Sequence, residues 1–258
     1  KKKRSGSSDA DHHYRTKEPV VVLYRTSFHQ NVVFECLQNR AGWKETDSDT
    51  DWDLNWADVG WIREFYDHVH MDEHQRINHF RNHYELTRKD LMDKNLKRMR
   101  KQLERTDSLS EAAKYNFFPS TFVLPSEYGL FLEEFKRNPH TTWIMKPIGR
   151  AQGKGIFLFT KLGQIADWRK DHKWKADGPQ AETYIVQRYI HDPYTIGGKK
   201  FDLRLYVLVT SYTPLVVWMF RQGFARVSNT RYGGSNVDHD NLFMHLTNAS
   251  IQKQSEDY

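Results

Sequence analysis

A single cysteine, Cys36, stands in the 258 residues, so an internal disulfide is excluded and a reducing, cytosolic compartment fits best. No apolar run is long enough for a membrane-spanning helix, and the basic first residues lack the apolar stretch of a signal peptide. The first residue is lysine, so the chain is not read as complete from an initiator methionine. Internal repeats, zinc-finger spacings and aromatic RNP motifs are all missing, which leaves nothing that reads bases. The glycine-rich loop after Lys146 misses the P-loop spacing, because Lys154 stands five positions after Gly149 where glycine is required. No His-Arg-Asp or Asp-Phe-Gly follows it, which argues against a protein kinase. Neither a membrane nor nucleic acid is therefore expected as a partner.

What is present suffices for a core. Hydrophobic residues make up 38% and aromatics 14%, in a length that allows one large domain or two to three small ones. Lys plus Arg number 39 against 33 Asp plus Glu, and the net charge of +6 attracts acidic partners without selecting one. Residues 1–18 read as a disordered basic tail. Pro19 to Thr26 is strand-like, Phe28 to Asn39 suits a helix ending near Gly42, and Trp52, Leu54 and Trp56 alternate with polar residues as a strand. Five histidines follow (His68, His70, His74, His79 and His83), two pairs of them four apart. That spacing admits a zinc site, but without a cysteine or a third-ligand pattern, solvated or hydrogen-bonded histidines are the expectation.

Thr87 and Asp90 resemble a capping box. The helix they open carries Met92, Leu96, Met99 and Leu103 on one stripe and six cations over the rest: Lys94, Lys97, Arg98, Arg100, Lys101 and Arg105. Those cations read by default as a solvated face. Thr106 to Lys114 looks like a linker, Phe117 to Leu124 like a strand, and Glu127 to Arg137 like a helix capped by Ser126. Leu162 to Lys173 reads as a helix, Trp174 to Glu182 as a loop, and Tyr184 to Ile190 as a strand.

The chemistry concentrates between Thr142 and Arg204. Lys146 ends an apolar run, and Gly149, Gly153 and Gly155 alternate with Arg150, Gln152 and Lys154 before a second apolar run, Gly155 to Thr160. Glycines let main-chain N–H groups crowd an anion while cations supply charge. The stretch reads as a lid over a polyphosphate or as an ordinary hairpin with a mobile tip. Further on, Lys200 to Val209 alternates as one strand. Phe201, Leu203, Leu205, Val207 and Val209 share a core-like face, while Lys200, Asp202 and Arg204 share the other. Such charges are costly unless they form an ion cluster or meet a ligand, and a site that steadies phosphate and a carboxylate is the preferred reading. Strands are also expected at Val216 to Arg221 and Gly223 to Ser228.

The motifs WIMKP, AQGKGIF, QRYI, IGGKKFDLRLYVLV, GFAR and HLTN, in that order, resemble those of the tubulin tyrosine ligase-like family. HFRNHYELTRKDLMDKNLKR upstream is similar to its polyglutamylase branch, nearest to members one and nine. The resemblance implies an α/β (α+β), ATP-grasp-like fold in which antiparallel sheets sandwich the nucleotide. It further implies an N-terminal domain over 19–108, a central domain with the lid over 109–185, and the start of a C-terminal ATP-grasp domain over 186–258. It implies an ATP-dependent ligase that adds free L-glutamate to glutamate side chains of tubulin C-terminal tails through an acylphosphate.

By the same resemblance Lys146 holds the phosphates, Gln152 and Gly153 form the lid, and Gln187, Arg188, Tyr189 and Ile190 grip adenine. Lys200, Phe201, Asp202, Thr247 and Asn248 complete the nucleotide site. Arg204 stabilises the acylphosphate, and Arg226, with Gln152, receives the incoming amino acid. Cofactors are ATP and Mg2+, and the partners are microtubules and a multi-subunit polyglutamylase complex. The implied location is the cytoplasm and cytoskeleton, at the axoneme and basal body of a cilium or flagellum. The family's metal-binding pattern, LEVNASPS, follows HLTN at a distance that would fall beyond Tyr258. No metal ligand is therefore expected here, and these residues alone are expected to be inactive. A non-catalytic family member that binds microtubules is the alternative.

Overall fold

The structure, a computed structural model, describes residues 20–106, 108–165, 182–233 and 238–256. Two compact units result, one ending at His83 and the other beginning at Tyr84.

In the first unit a parallel sheet of order β2-β1-β3-β4 is built from Val22–Thr26 (β1), Trp43–Glu45 (β2), Leu54–Trp56 (β3) and Arg76–Ile77 (β4). Helix α1 (Val32–Gln38) starts where Asn31 accepts the Phe34 N–H, and α2 (Val59–Glu64) where Asp58 accepts that of Gly60. Trp52 lies just outside β3 and is almost wholly buried, as core rather than as a ligand platform. Two of the five histidines spend a ring nitrogen on main-chain carbonyls, His79 on Ala57 and His83 on Phe80.

The second unit opens with α3 (Tyr84–Thr87) and α4 (Lys89–Arg105). The N-cap position falls one residue later than expected: Arg88 holds it without a side-chain capping bond, and Asp90 is engaged by the Arg88 guanidinium. Met92 and Met99 are exposed, and the one fully buried residue on α4 is Asp93, paired with Lys97 at 2.8 Å. The expected linker contains a helix, α5 (Leu109–Ala113).

Strands β5 (Thr121–Leu124), β6 (Trp143–Pro147), β7 (Phe157–Phe159) and β8 (Tyr184–Arg188) form an antiparallel sheet of order β5-β8-β6-β7. Strand alternation sorts it into two faces. Trp143, Met145, Phe159, Val186 and Leu124 pack against Phe131 of α6 (Tyr128–Arg137) in a dry aromatic core. Ile144 and Leu158 point the other way, toward Tyr189, Leu246 and Ile251. Ser126 does not cap α6: Glu127 holds that position, and Ser126 Oγ donates to Val123 O. Of the helix expected from Leu162, a 3-10 turn at Leu162–Ile165 is described; the remainder, the following loop up to residue 181 and the basic tail lie outside the described residues.

The single strand expected from Lys200 to Val209 is two. Lys199–Arg204 (β10) lies between β9 (Thr195–Ile196) and β13 (Phe224–Arg231), whereas among the described residues Val207–Tyr212 (β11) pairs only with β12 (Leu215–Met219). Period-two alternation runs through both, so the break is invisible to it. Partner exchange makes it, at the point where Gly223 comes so close to Arg204 O that a side chain would collide. The face taken as core-like is largely open: Leu203, Leu205 and Val207 are each more than half exposed. Gly197 and Gly198, both at positive φ, make the tight β9–β10 turn. Short helical turns at Leu242–His245 and Ala249–Gln252 close the chain over the second face of the larger sheet. No helix among the described residues is long and apolar enough to cross a membrane.

Candidate functional site

A cavity of about 270 Å3 opens on that second face, lined by Ile144, Lys146, Ile156, Gln187, Arg188, Tyr189, Ile190, Lys200, Thr247 and Asn248 among others. This is just below the usual range for pockets that bury a small ligand, so a larger ligand would project from its mouth. Lys146 is there because it shares a strand face with Ile144. Its Nζ donates to Gln187 Oε1 at 2.7 Å, and Gln187 Nε2 donates to Thr121 Oγ1 at 2.9 Å. The lysine is thus positioned from three neighbouring strands. Burial, with Lys89 adding its charge, pushes the Lys146 ammonium down to about 8.

Lys200 enters from β10. Its Nζ donates to the Tyr189 hydroxyl at 3.0 Å and to His245 O at 2.9 Å, and sits 4.7 Å from the Tyr189 ring centre. His245 Nε2 faces the Asp238 carbonyl at 2.8 Å, which requires the proton on Nε2. Nδ1 is then the acceptor for Tyr189 Oη–H at 2.9 Å. Burial, and next the charge of Lys146, lower Lys200 to about 8 against the opposing pull of Asp202. Among the described residues neither lysine pairs with a carboxylate; their partners are neutral. Two desolvated cations on one cavity favour an anionic ligand.

Asp202 belongs to a different arrangement. The β10–β13 register sets it opposite Arg226, whose Nε and Nη2 donate to Oδ1 and Oδ2 at 2.6 and 2.9 Å. Thr247 Oγ1 donates to the same carboxylate. Burial works to raise the Asp202 carboxyl, but these bonds outweigh it and hold it below its ordinary value. The pairing is therefore Asp202 with Arg226 rather than a Lys200–Asp202–Arg204 cluster. Arg204 is exposed at the end of β10, and Phe201 stacks edge-on against Tyr194; neither lines the cavity.

The glycine loop is anchored at its base by Lys89, whose Nζ donates to Pro147 O and Arg150 O, both at 3.0 Å. Arg150 is itself bidentate to Glu182. At the tip Gln152 has φ 61° and its carbonyl accepts from Ser250 Oγ at 2.8 Å. Gly153, at φ 81°, lies so close to Ile251 that a side chain would collide. The tip thus meets the segment after HLTN, and Gln152 and Gly153 line a second cavity of about 580 Å3 together with Asp238 and Asp240.

Eight of the sequence-derived residues therefore share the smaller cavity, while Gln152, Gly153, Phe201, Asp202, Arg204 and Arg226 stand outside it. Sequence reasoning missed His245, which links Tyr189 to the Asp238 carbonyl, and Lys89, which fixes the base of the loop. It also missed Gln252, whose buried amide donates to Phe243 O and Leu246 O and accepts from Asn229 N. His245 lies within HLTN and could have been singled out there; Lys89 and Gln252 carry no local signal.

A mixed α/β chain with antiparallel sheets and this glycine connection has an ATP-grasp-like fold. The tubulin-tyrosine ligase family model matches residues 68–258, and the chain belongs to that family. Probable tubulin polyglutamylase TTLL9 of Rattus norvegicus is 48% identical over 270 residues, covering 94% of this chain and 58% of that protein. Probable alpha-tubulin polyglutamylase Ttll1 of Tetrahymena thermophila is 45% identical, covering 91% and 60%. Tubulin polyglutamylase TTLL5 of Homo sapiens is 37% identical over 211 residues, covering 82% and 15%. The chain spans less than two thirds of the length of each of these relatives.

Proposed function

We propose that the whole protein is an ATP-dependent carboxylate–amine ligase, a tubulin polyglutamylase. The γ-phosphate of ATP passes to the side-chain carboxylate of a tubulin-tail glutamate, giving an acylphosphate and ADP. The amine of free L-glutamate then attacks the acyl carbon, phosphate leaves, and an isopeptide branch forms. The observation that carries this reading is the convergence of Lys146 and Lys200, both desolvated and both without a carboxylate partner among the described residues, on one cavity. There they would hold phosphate oxygens, while Ile144, Ile156 and Ile190 flank the base. The polyglutamylase names of relatives 37–48% identical support the choice of glutamate and tubulin.

Mg2+ would neutralise phosphate charge, but no group of three or more His, Cys, Asp or Glu among the described residues could hold it. Arg226 could receive the carboxylate of free glutamate only in competition with Asp202, which already occupies its fork. The place of action would be the microtubule cytoskeleton, in cilia or flagella, within a multi-subunit complex. Labelled amino acids offered with tubulin and ATP to the whole protein test the reading. Glutamate should be incorporated, and Lys146→Ala or Lys200→Ala should lower the rate about a hundredfold. Incorporation of glycine or tyrosine in place of glutamate would overturn it.

A further inference from the structure

Helix α4 sorts its cations by face. Arg88 and Lys97 hold Asp90 and Asp93, and Arg100 reaches Glu104 at 3.4 Å. Lys89 is spent on carbonyls at the base of the glycine loop. Lys94, Arg98, Lys101 and Arg105 remain. All four are exposed, and among the described residues no carboxylate forms an ion pair with any of them; Arg98 donates only to Asn95 Oδ1. Their spacing of four, three and four places them within about 60° of one another around the helix and along about 16 Å of its axis. Asp90, the residue one turn before Lys94 that could have neutralised it, is taken bidentately by Arg88. Lys94–Arg98 and Lys101–Arg105 are like charges four apart, which destabilises a helix in isolation. A solvated face needs no such alignment.

We infer that this row is a docking rail for an acidic polypeptide in extended conformation, lying outside the nucleotide cavity. A strand advances about 3.3 Å per residue, so 16 Å of rail faces roughly five residues, with carboxylates on one side recurring about every 6.6 Å. Cations one helical turn apart meet that period with their long side chains. The groove at the C-terminal part of the row is lined by Lys97, Arg98, Lys101, Gln102, Arg105 and Thr106. None of these is aromatic, so the groove offers no platform for an unstacked base, and acidic peptide is favoured over single-stranded nucleic acid. The choice of peptide rests on the ligase reading above, because α4 is tied through Lys89 to the base of the glycine loop of the same unit. A tail held on α4 would be tethered near the reacting groups without entering their cavity.

The test is a fluorescence-anisotropy titration of a labelled poly-L-glutamate peptide with the whole protein. A single-stranded oligonucleotide of equal charge serves as the second arm. Lys101→Glu with Arg105→Glu should weaken peptide binding about tenfold and flatten its salt dependence. Lys136→Glu with Lys253→Glu, the same charge change away from α4, should leave it within about twofold. Circular dichroism melting of each variant shows that it is folded. Equal losses in the two variants, absence of peptide binding, or tighter binding of the oligonucleotide would each overturn the rail. A fluorescent ATP analogue titrated into the same samples keeps the two readings apart. Peptide bound without nucleotide sinks the ligase assignment and leaves the rail, and nucleotide bound without peptide does the reverse.

Discussion

Lys146 and Lys200 tie two pH dependences of opposite sign to one cavity. Both are held near 8, whereas in the unfolded chain each returns to its ordinary 10.5. Between these values the unfolded chain binds more protons, so the contribution of these lysines to stability rises with pH. An anionic ligand needs the protonated forms, so its affinity falls over the same interval. Calorimetric titration with ATP should therefore show affinity dropping about tenfold from pH 7 to pH 9 for each lysine that must carry its proton, while urea denaturation without ligand shows no parallel loss of stability. A pH-independent affinity would mean that neither ammonium touches the ligand. At the same scale, Arg226 shows how far a residue type carries. A lone arginine on a strand does not reveal its partner, because Asp202 is 24 residues away and only the β10–β13 register sets the two opposite each other.

At the scale of elements, the aromatic core under the larger sheet carries the heaviest packing. Phe131 is wholly buried, with ring centres of Phe122, Trp143, Phe159 and Phe135 at 5.2–6.1 Å. Phe131→Ala should cost about 3–5 kcal/mol in chemical denaturation. Because α6 braces β6 from the face opposite Lys146, ligand affinity should fall with it. The strands of this sheet were legible, since Trp143 to Pro147 and Gly155 to Thr160 carry a strong local pattern. Three things were not. The helix start expected at Thr87 lies at Arg88, whose guanidinium holds Asp90. The linker after Thr106 hid a five-residue helix too short for a period to show. The run after Lys200 kept its alternation through a change of sheet, and alternation reports facing, not partners. Eight of the residues named from the motifs line one cavity all the same, because each lies on a strand or turn whose local placement does not depend on these errors.

At the scale of the whole molecule, apolar side chains crowd the ribbon of β11 and β12 and the ends of β10 and β13. Leu203, Leu208, Leu215, Trp218, Met219 and Phe220 are each at least 60% exposed. Monomeric proteins rarely present so much contiguous apolar surface. Solutions of these 258 residues should brighten 8-anilinonaphthalene-1-sulfonate, and light scattering should report mass growing with protein concentration. Replacing Trp218 and Leu208 by lysine should abolish both effects; scattering unchanged by those replacements would place the adhesive surface elsewhere. Among the described residues the ribbon's two strands form a two-stranded sheet of their own. Greasy side chains at this density set a colloidal limit on handling these 258 residues, which would keep best dilute and in mild detergent.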